Sequence, residues 1–331
     1  GITTPIEIVR DNANVPHIFG SLDRDVFFGL GYAHAQDRMW QMTLQRRTAQ
    51  GRLSEVFGSS TLAIDRLMRR FDIYRLSVQS VEALDPQTLG ILEAYAAGVN
   101  ARFSQINQEA LGRGAPEMLL FNAPMAPWRP ADSIAIGKLI ALQSSPHLEA
   151  EVMRARTSLA LPDPERLRDI LPDSPGSGTA ALPEYASLAP GVSQFAQNTR
   201  HDRHPLSPFL ARPFAGASNA WAAAPSRSAS GGTLLANDPH RSFSAPAAWY
   251  LARLELASGG VIGGTMPGIP VVLAGRSDAL GWGLTASFLD DQDLHIEELN
   301  PDNPEQYRTH DGFEAIVTRS SIITVKDADP V

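Results

Sequence analysis

The spacing of apolar residues differs between the two halves of this chain of 331 residues, and that difference limits the possible folds more than any other feature. After the first 20 residues and up to about residue 171, apolar side chains recur every three to four positions, as in amphipathic helices. The predicted helices cover 61–77, 87–107, 131–144, 148–160 and 164–171. After residue 217, short apolar runs punctuated by Gly, Pro, Asn and Asp indicate strands. The predicted strands cover 219–224, 233–236, 249–256, 261–265, 271–274, 282–286 and 294–299. Helices followed by strands predict an α+β architecture.

Residues 171–217, between these two parts, are rich in Pro, Gly, Ser and Ala and have little periodicity. Such a composition predicts an exposed linker, where proteolysis concentrates. Because a structureless stretch of this length is unusual inside a compact domain, we interpret it as a disordered or processed spacer. The chain therefore divides into a mainly helical segment with N-terminal strands (1–170), the spacer (171–217) and a sheet-rich segment (218–331).

The N-terminal residues alternate apolar and polar side chains, which predicts two short strands at 6–10 and 15–18. Ser21 is the expected N-cap of the helix that follows. Asp23 and Asp25 would lie in its first turn, where negative charge suits the helix dipole.

Composition and charge exclude several classes of function. The chain has no cysteine, so a disulfide framework, a thiolate metal site and a cysteine nucleophile are all excluded. Its net charge is −8 and it has no basic stripe, so we expect no nucleic-acid partner. No apolar run approaches the ~20 residues that span a bilayer, and the first residues lack the apolar core of a signal peptide. We expect no membrane insertion and no signal peptide within this chain.

Several common catalytic motifs are missing from the sequence. It has no Gly-x-Ser-x-Gly elbow, phosphate-binding P-loop or His-Glu-x-x-His. Gly29-x-Gly31 lacks a third glycine and opens no βα turn, so we expect no dinucleotide site. His201 and His204 lie in the spacer without nearby metal ligands, and His295 fits a packed or surface strand residue. The sequence contains the serines, histidines and aspartates that a Ser-His-Asp triad needs, so composition does not exclude one, but nothing in their spacing supports it.

The informative stretch is 216–224, which closes the spacer and opens a strand, followed by 234–240. Together they resemble the start of the β-chain of penicillin and cephalosporin acylases, which are N-terminal-nucleophile hydrolases. The resemblance implies an αββα sandwich and a precursor that cuts itself between Ala217 and Ser218. Ser218 is then the nucleophile and its new α-amine is the base. This chemistry is reasonable, because a serine hydroxyl needs a base and an α-amine has a pKa of about 7.7–8.

Two further positions match the family at the offsets that the resemblance requires. His240 lies 22 residues after Ser218 (240 − 218), where the cephalosporin-acylase-like branch carries a His, and the resemblance implies that it orients or hydrogen-bonds the serine and its amine. Ala286 lies 68 residues after Ser218 (286 − 218), and the resemblance makes its backbone N–H one oxyanion donor. Residues 10–18 and 31–42 also follow the family's opening pattern, for which we expect structural roles.

The acidic loop at 290–293 matches a calcium-binding loop of the same family. The resemblance implies a structural calcium site formed by Asp290, the Gln292 carbonyl, Asp293 and Glu151, all oxygen ligands as a hard cation requires. Glu149 is the alternative register for the last ligand. We expect no organic cofactor.

The resemblance also indicates part of an acyl pocket. Arg241 stands where phenylacetyl-specific enzymes place an aromatic residue, and it either pairs with an acidic or polar acyl group or points to solvent. The other candidate substrate-binding residues are Tyr250, Ala274, Leu284, Ser144 and Ser145.

The match departs from the family in two places. The residue before the nucleophile is often glycine in the family and is Ala217 here. Family precursors also run several hundred residues further, and that region supplies an asparagine as second oxyanion donor and a nearby arginine. We therefore expect the remainder of the β-chain as a partner. The 331 residues alone should be nearly inactive, since losing such a donor costs about 10²–10³ in rate.

The expected function is hydrolysis of a linear, small-molecule amide through an acyl-enzyme on Ser218. One alternative is an N-acyl-homoserine lactone acylase of the same family. Another is a non-catalytic or unprocessed scaffold that binds an acyl compound. The resemblance implies a periplasmic or secreted protein.

Overall fold

The computed structural model describes residues 1–109, 114–122, 125–144, 147–161, 163, 165–166, 204–208, 217–240, 244–285 and 297–331. Its contacts divide the chain into two compact units. The first unit comprises Gly1–Gln143, His204–Ala286 and Ile323–Val331, and the second comprises Ser144–Arg203 and Ser287–Ile322. The first unit thus draws on both sides of the spacer. The division into helical segment, spacer and sheet-rich segment concerns processing of the chain and stays a prediction.

The described residues form helices and strands in mixed order, which confirms the α+β expectation. The helices are α1 (Asp23–Gln50), α2 (Ser54–Phe57), α3 (Leu62–Phe71), α4 (Ile73–Glu82), α5 (Pro86–Gln108), α6 (Pro116–Leu120), α7 (Pro130–Ser144) and α8 (His147–Ala160), with 3-10 turns at Gly58–Thr61 and Pro225–Arg227. The strands are β1 (Glu7–Arg10), β2 (Pro16–Phe19), β3 (Ala217–Ala223), β4 (Leu234–His240), β5 (Tyr250–Leu256), β6 (Gly259–Met266), β7 (Ile269–Arg276), β8 (Gly281–Trp282), β9 (Leu299–Asn300), β10 (Asn303–Thr309) and β11 (Gly312–Ala315). None of the helices described is both long and apolar enough to cross a membrane. The αββα sandwich stays a prediction.

A six-stranded sheet in the first unit combines strands from both sides of the spacer. Its order is β1-β2-β5-β6-β7-β8, in which β2 and β5 are parallel and the other neighbours are antiparallel. Ile18 of β2 lies opposite Leu254 of β5, and both side chains are buried. The predicted N-terminal hairpin is confirmed as β1 and β2, but nothing in the sequence indicated the partner of its second strand.

Glycines allow α1 to approach both α5 and the sheet. A Cβ on Gly31 of α1 would overlap the Tyr95 carbonyl oxygen of α5, and a Cβ on Gly98 of α5 would overlap the Phe28 carbonyl oxygen of α1. A Cβ on Gly29 would meet a side chain of β2. The Gly29-x-Gly31 pair therefore serves packing, and the main hydrophobic core lies where α1, α5, β2 and β5 meet.

The predicted helix 61–77 is wrong as a single element. Asp72 separates α3 from α4, and its backbone has a left-handed conformation with φ 54°. Because residues other than glycine rarely adopt this conformation, the sequence carries no signal for the break. The helices predicted at 87–107, 131–144 and 148–160 are confirmed as α5, α7 and α8. Of the helix predicted at 164–171, only 165 and 166 are described, and both are helical.

Acidic side chains, rather than a capping serine, organise the first turn of α1. The expected Ser21 N-cap is wrong, because α1 begins at Asp23 and no side chain caps it. Asp25 is buried and accepts hydrogen bonds from the backbone N–H groups of Thr3 and Thr4, each at 2.8 Å. Burial alone would raise the pKa of Asp25, but the hydrogen bonds outweigh it and the pKa is lowered. Asp25 thus ties the N-terminal segment to the helix.

The strands predicted between 219 and 274 are confirmed as β3 to β7. The strand predicted at 282–286 is wrong for residues 283–285, because β8 ends at Trp282, and residue 286 lies outside the described ranges. Of the strand predicted at 294–299, the described residues contain only the start of β9. No prediction covers the hairpin formed by β10 and β11. In the second unit these strands form an antiparallel sheet in the order β11-β10-β9.

Candidate functional site

Ser218 is the second residue of β3, which pairs antiparallel with β4. The register places Ser218 opposite Pro239 and Ala217 opposite His240. Opposed residues in an antiparallel pair share a face, and successive residues alternate between faces. Half-buried Ser218 therefore shares a face with Pro239, whereas His240 belongs to the other face.

The predicted hydrogen bond between His240 and Ser218 is not found among the described residues. His240 Nε2 instead lies 3.0 Å from Asp238 Oδ2, and both side chains are about half exposed, at 53% and 54%. The pairing of β3 with β4 explains this, because Asp238 and His240 lie two residues apart on one face. The role of His240 beside the nucleophile stays a prediction.

A cleft of about 830 Å³ lies against the face of the hairpin that carries Ser218. Leu235, Asn237 and Pro239 alternate along β4 on this face, and all three line the cleft. The other wall comes from β5 to β8. Its apolar side chains are Trp249, Leu251, Ile262, Ala274, Leu280 and Trp282. Ala274 is therefore the one predicted substrate-binding residue that lines the described part of this cleft.

Trp249 and Arg276 are two of the cleft residues that were not predicted as site residues from the sequence. Trp249 lies over Gly264, where a Cβ would come within 2.9 Å of the indole ring. Arg276 ends β7 and brings an exposed guanidinium to the same lining. An aromatic residue before an alternating strand indicates a core position, and an arginine at a strand end indicates solvent. Only the fold places the two together.

Tyr250 and Leu284, both predicted to bind substrate, make structural contacts. Tyr250 is 6% exposed, and its hydroxyl donates to Asp37 Oδ2 at 2.7 Å, where Arg10 also pairs with the carboxylate. Burial, and then the hydrogen bond to Asp37 and the charge of that carboxylate, raise the pKa of the Tyr250 hydroxyl. The backbone N–H and carbonyl of Leu284 are bonded by the side chain of Asn237. The role of Tyr250 and Leu284 in substrate binding stays a prediction.

The other predicted site residues lie elsewhere or outside the described ranges. Ser144 is the last residue of α7, and Glu151 lies half-buried in α8. Outside the described ranges are Arg241, Ser145, Ala286, Asp290, Gln292 and Asp293. In the part of the chain that is described, no group of three or more His, Asp or Glu side chains could hold a metal. The calcium site, with three of four ligands outside that part, stays a prediction.

A buried histidine that sequence reasoning missed lies at the junction of helix and sheet. Thr265 Oγ1 donates to the Tyr250 carbonyl at 2.7 Å, so it accepts the bond from His34 Nε2 at 3.0 Å. Tyr95 Oη accepts from the Gly268 N–H at 2.9 Å and donates to His34 Nδ1 at 2.8 Å. The imidazole is therefore neutral, with its proton on Nε2.

The surroundings of His34 explain why it stays neutral. Burial, and then the positive charge of Arg38, lower the pKa of His34 to about 3. All polar atoms of its ring have partners, so the group is a structural link and not a free base. Its partners come from α5 and β6, on opposite sides of the spacer.

Comparison with known proteins adds an independent line of evidence. The family model for penicillin amidase matches residues 5–331. The chain is 32% identical to the penicillin acylase 2 proenzyme of Pseudomonas sp. (strain SE83), over 98% of this chain and 42% of that protein. It is 29% identical to the acyl-homoserine lactone acylase QuiP of Pseudomonas fluorescens (strain Pf0-1), over 100% of this chain and 40% of that protein.

Penicillin G acylase of Escherichia coli is 27% identical, over 98% of this chain and 44% of that protein. Among solved structures, the thermostable penicillin G acylase from Alcaligenes faecalis gives a TM-score of 0.45 at 26% identity, covering 55% of this chain and 100% of that chain. The chain spans about two fifths of the length of the curated relatives it matches.

Proposed function

The chain belongs to the penicillin amidase family, and from this premise we propose that it is part of an amide hydrolase whose nucleophile is Ser218. The observation that carries the proposal is the position of Ser218. This serine lies at the start of β3, immediately after the spacer, on the hairpin face that borders a largely apolar cleft.

Cleavage between Ala217 and Ser218 gives the serine a free α-amine. With an ordinary pKa of about 7.7–8, the amine takes the hydroxyl proton as the oxygen attacks the amide carbonyl. The carbonyl oxygen gains negative charge, which the backbone N–H of Ala286 stabilises. The proton passes to the leaving amine as the C–N bond breaks, and water then hydrolyses the acyl ester and regenerates Ser218.

The activity proposed is that of the full-length protein, because the relatives are more than twice as long as the matched region. In this proposal the remainder of the β-chain is a partner, and it supplies the second oxyanion donor. A periplasmic or secreted location belongs to the same proposal. Locating the full-length protein by cell fractionation would test it, and recovery in the cytosol alone would refute it.

The cleft favours an acyl group with substantial apolar surface, since Leu, Ile and Trp side chains recur along its lining. This observation supports acyl-homoserine lactone amides as a second candidate substrate class beside penicillin-type amides. A panel of phenylacetyl, glutaryl and octanoyl p-nitroanilides, with octanoyl-homoserine lactone, would separate the classes by kcat/KM. An octanoyl preference would support the second class. Preference for glutaryl would indicate that Arg276 or Arg241 pairs with a carboxylate.

Mass spectrometry of the full-length protein beside its Ser218→Ala variant tests the nucleophile. We expect wild type to be cut between Ala217 and Ser218 and to release p-nitroaniline, and Ser218→Ala to do neither. Ser226→Ala, an exposed serine on the β3–β4 connection, is the matched control and should behave as wild type. Equal cutting of wild type and Ser218→Ala would refute self-cleavage. An uncut wild type without turnover would favour the acyl-binding scaffold.

The calcium proposal assigns Glu151, Asp290, Gln292 and Asp293 to one structural site. Their oxygen donors are the chemistry that a hard cation requires. We expect purified full-length protein to contain about one calcium per chain by elemental analysis, and chelation to lower its melting temperature. A metal-free protein whose melting temperature does not change when calcium is added would refute the site.

A further inference from the structure

Asn237 is the only described side chain that bonds both the nucleophile strand and the segment after β8. Its Nδ2 donates to the Asn219 carbonyl at 2.9 Å and to the Leu284 carbonyl at 3.0 Å. Its Oδ1 accepts from the Leu284 N–H at 3.1 Å. A side-chain amide offers two N–H groups and one carbonyl, so both N–H groups and the carbonyl oxygen of Asn237 are engaged.

This contact replaces a missing strand neighbour. β8 ends at Trp282, so Leu284 is not in a strand. The Asn237 side chain nevertheless forms hydrogen bonds with the N–H and the carbonyl of Leu284, as a neighbouring strand would. Gly283 makes the approach possible, because a Cβ there would lie 3.0 Å from Asn237 Cγ. That distance is tighter than ordinary van der Waals contact, so any larger residue would push the amide away.

The two segments joined in this way are the strand that carries Ser218 and the residues that follow cleft-lining Trp282. Asn219 directly follows Ser218 in β3, which pairs with β4, and residues of β4 line the cleft. The Asn237 side chain itself lines the cleft between them. Its three hydrogen bonds therefore fix the distance from the serine strand to the wall against which an acyl group would lie.

We infer that Asn237 is a positioning residue of the proposed hydrolysis, whose amide holds the Ser218 strand in register with Leu284 and so with Trp282, which lines the cleft. The inference rests on the proposed function. A displacement of about 1 Å between nucleophile and substrate can cost on the order of 10²-fold in rate. Loss of the amide should therefore lower kcat far more than it alters KM.

The test uses the full-length protein with Asn237→Ala and the p-nitroanilide substrate that wild type cleaves best. Asn100→Ala is the matched control, because Asn100 makes the same two-bond contact to the backbone of Trp128, at 2.6 and 2.9 Å, far from Ser218 in sequence and on α5. We expect Asn237→Ala to lower kcat per cleaved chain by about 10- to 100-fold, with KM within about threefold. Asn100→Ala should lower the melting temperature but leave kcat within about twofold.

A second variant reaches the same contact without removing the amide. Gly283→Ala should displace Asn237 and lower kcat selectively, whereas Gly232→Ala, where the nearest atom to a Cβ is 3.6 Å away, should not. An Asn237→Ala chain that stays uncleaved at wild-type melting temperature also supports the inference, because the same hydroxyl performs both reactions. Wild-type kcat in Asn237→Ala, or an equal loss in Asn100→Ala, overturns it. Activity in Ser218→Ala would instead overturn the proposed function.

Discussion

His34 joins the first helix to the sheet as a neutral, fully buried imidazole. Its ordinary pKa is 6.5, and the folded protein lowers it to about 3. Between these values the unfolded chain binds a proton that the folded chain does not. Stability is therefore complete above pH 6.5 and falls as the pH is lowered toward 3. One such proton changes the free energy of unfolding by about 1.4 kcal/mol per pH unit.

We expect the free energy of unfolding of the wild-type protein to decrease from about pH 6.5 to 4.5. In His34→Gln this decrease should be absent, because the glutamine amide can form hydrogen bonds but does not bind a proton in this range. Carboxyl groups with a lowered pKa, such as Glu55 with an ordinary pKa of 4.5, change the free energy of unfolding at lower pH. Urea unfolding followed by tryptophan fluorescence measures the slope. His310→Gln removes a fully exposed imidazole and should keep the wild-type slope. Parallel curves for wild type and His34→Gln would contradict the assignment.

A local pattern can single out a residue without establishing its role. The short segment at the end of the spacer singles out Ser218, whose role stays a prediction, and Ala274 lies on a strand that lines the cleft. His34 was not predictable, because its partners Tyr95 and Thr265 are remote in sequence and its helix pattern indicates only a core position. Asn237 lies in a matched segment, but the role proposed for it depends on the bonds to Leu284, which only the fold brings near.

The crossing of α1 and α5 depends on glycines that leave no room for a side chain. The Cβ of an alanine at position 98 would overlap the Phe28 carbonyl oxygen, which belongs to the helix backbone and cannot rotate away. Forcing the helices apart would also separate the core residues between them. Overpacking of this kind typically costs about 1–3 kcal/mol and occasionally more.

Gly98→Ala should therefore destabilise the protein by at least about 2 kcal/mol. At Gly90, eight residues earlier in α5 (98 − 90), an added Cβ would meet no atom within 4 Å. Gly90→Ala should stabilise by about 0.5–1 kcal/mol, since alanine favours helix. Denaturant unfolding of the two variants beside wild type measures both effects. Equal effects of the two substitutions would show that helix propensity, and not the crossing, governs Gly98.

Elements were predictable where start signals and periodicity agreed. α5 begins at Pro86 after Asp85, whose carboxylate accepts from the N–H groups of Gln87 and Thr88, and its apolar spacing is regular. The break at Asp72 has no such signal. The β10–β11 hairpin turns at His310 and Asp311, before Gly312, but its strands are mostly exposed, carry charged residues and lack apolar alternation.

In the molecule as a whole, many contacts join segments that are far apart in the sequence. The first unit is assembled from three separate segments of the chain. The Lys326 N–H donates to the Ser54 carbonyl at 2.9 Å, and Ile323 and Val325 are buried. Strand pairing between β2 and β5 could not be predicted, because apolar alternation identifies a strand but not its neighbour. The core of the first unit is thus built from residues on both sides of the spacer.

A cut at Ala217–Ser218 should therefore leave the two pieces associated, because they share one sheet and one core. Ile18 opposite Leu254 and the hydroxyl of Tyr250 on Asp37 are buried contacts between pieces. We expect the cut protein to elute as one species in native size-exclusion chromatography and to give two bands on a denaturing gel. Ile18→Asp places a charge in the shared core and should release the pieces, whereas Val9→Asp, at a position 45% exposed in β1, should not. Separate elution of the wild-type pieces would mean that β2 and β5 do not hold them together. Cleavage would then separate the two pieces instead of leaving one folded protein.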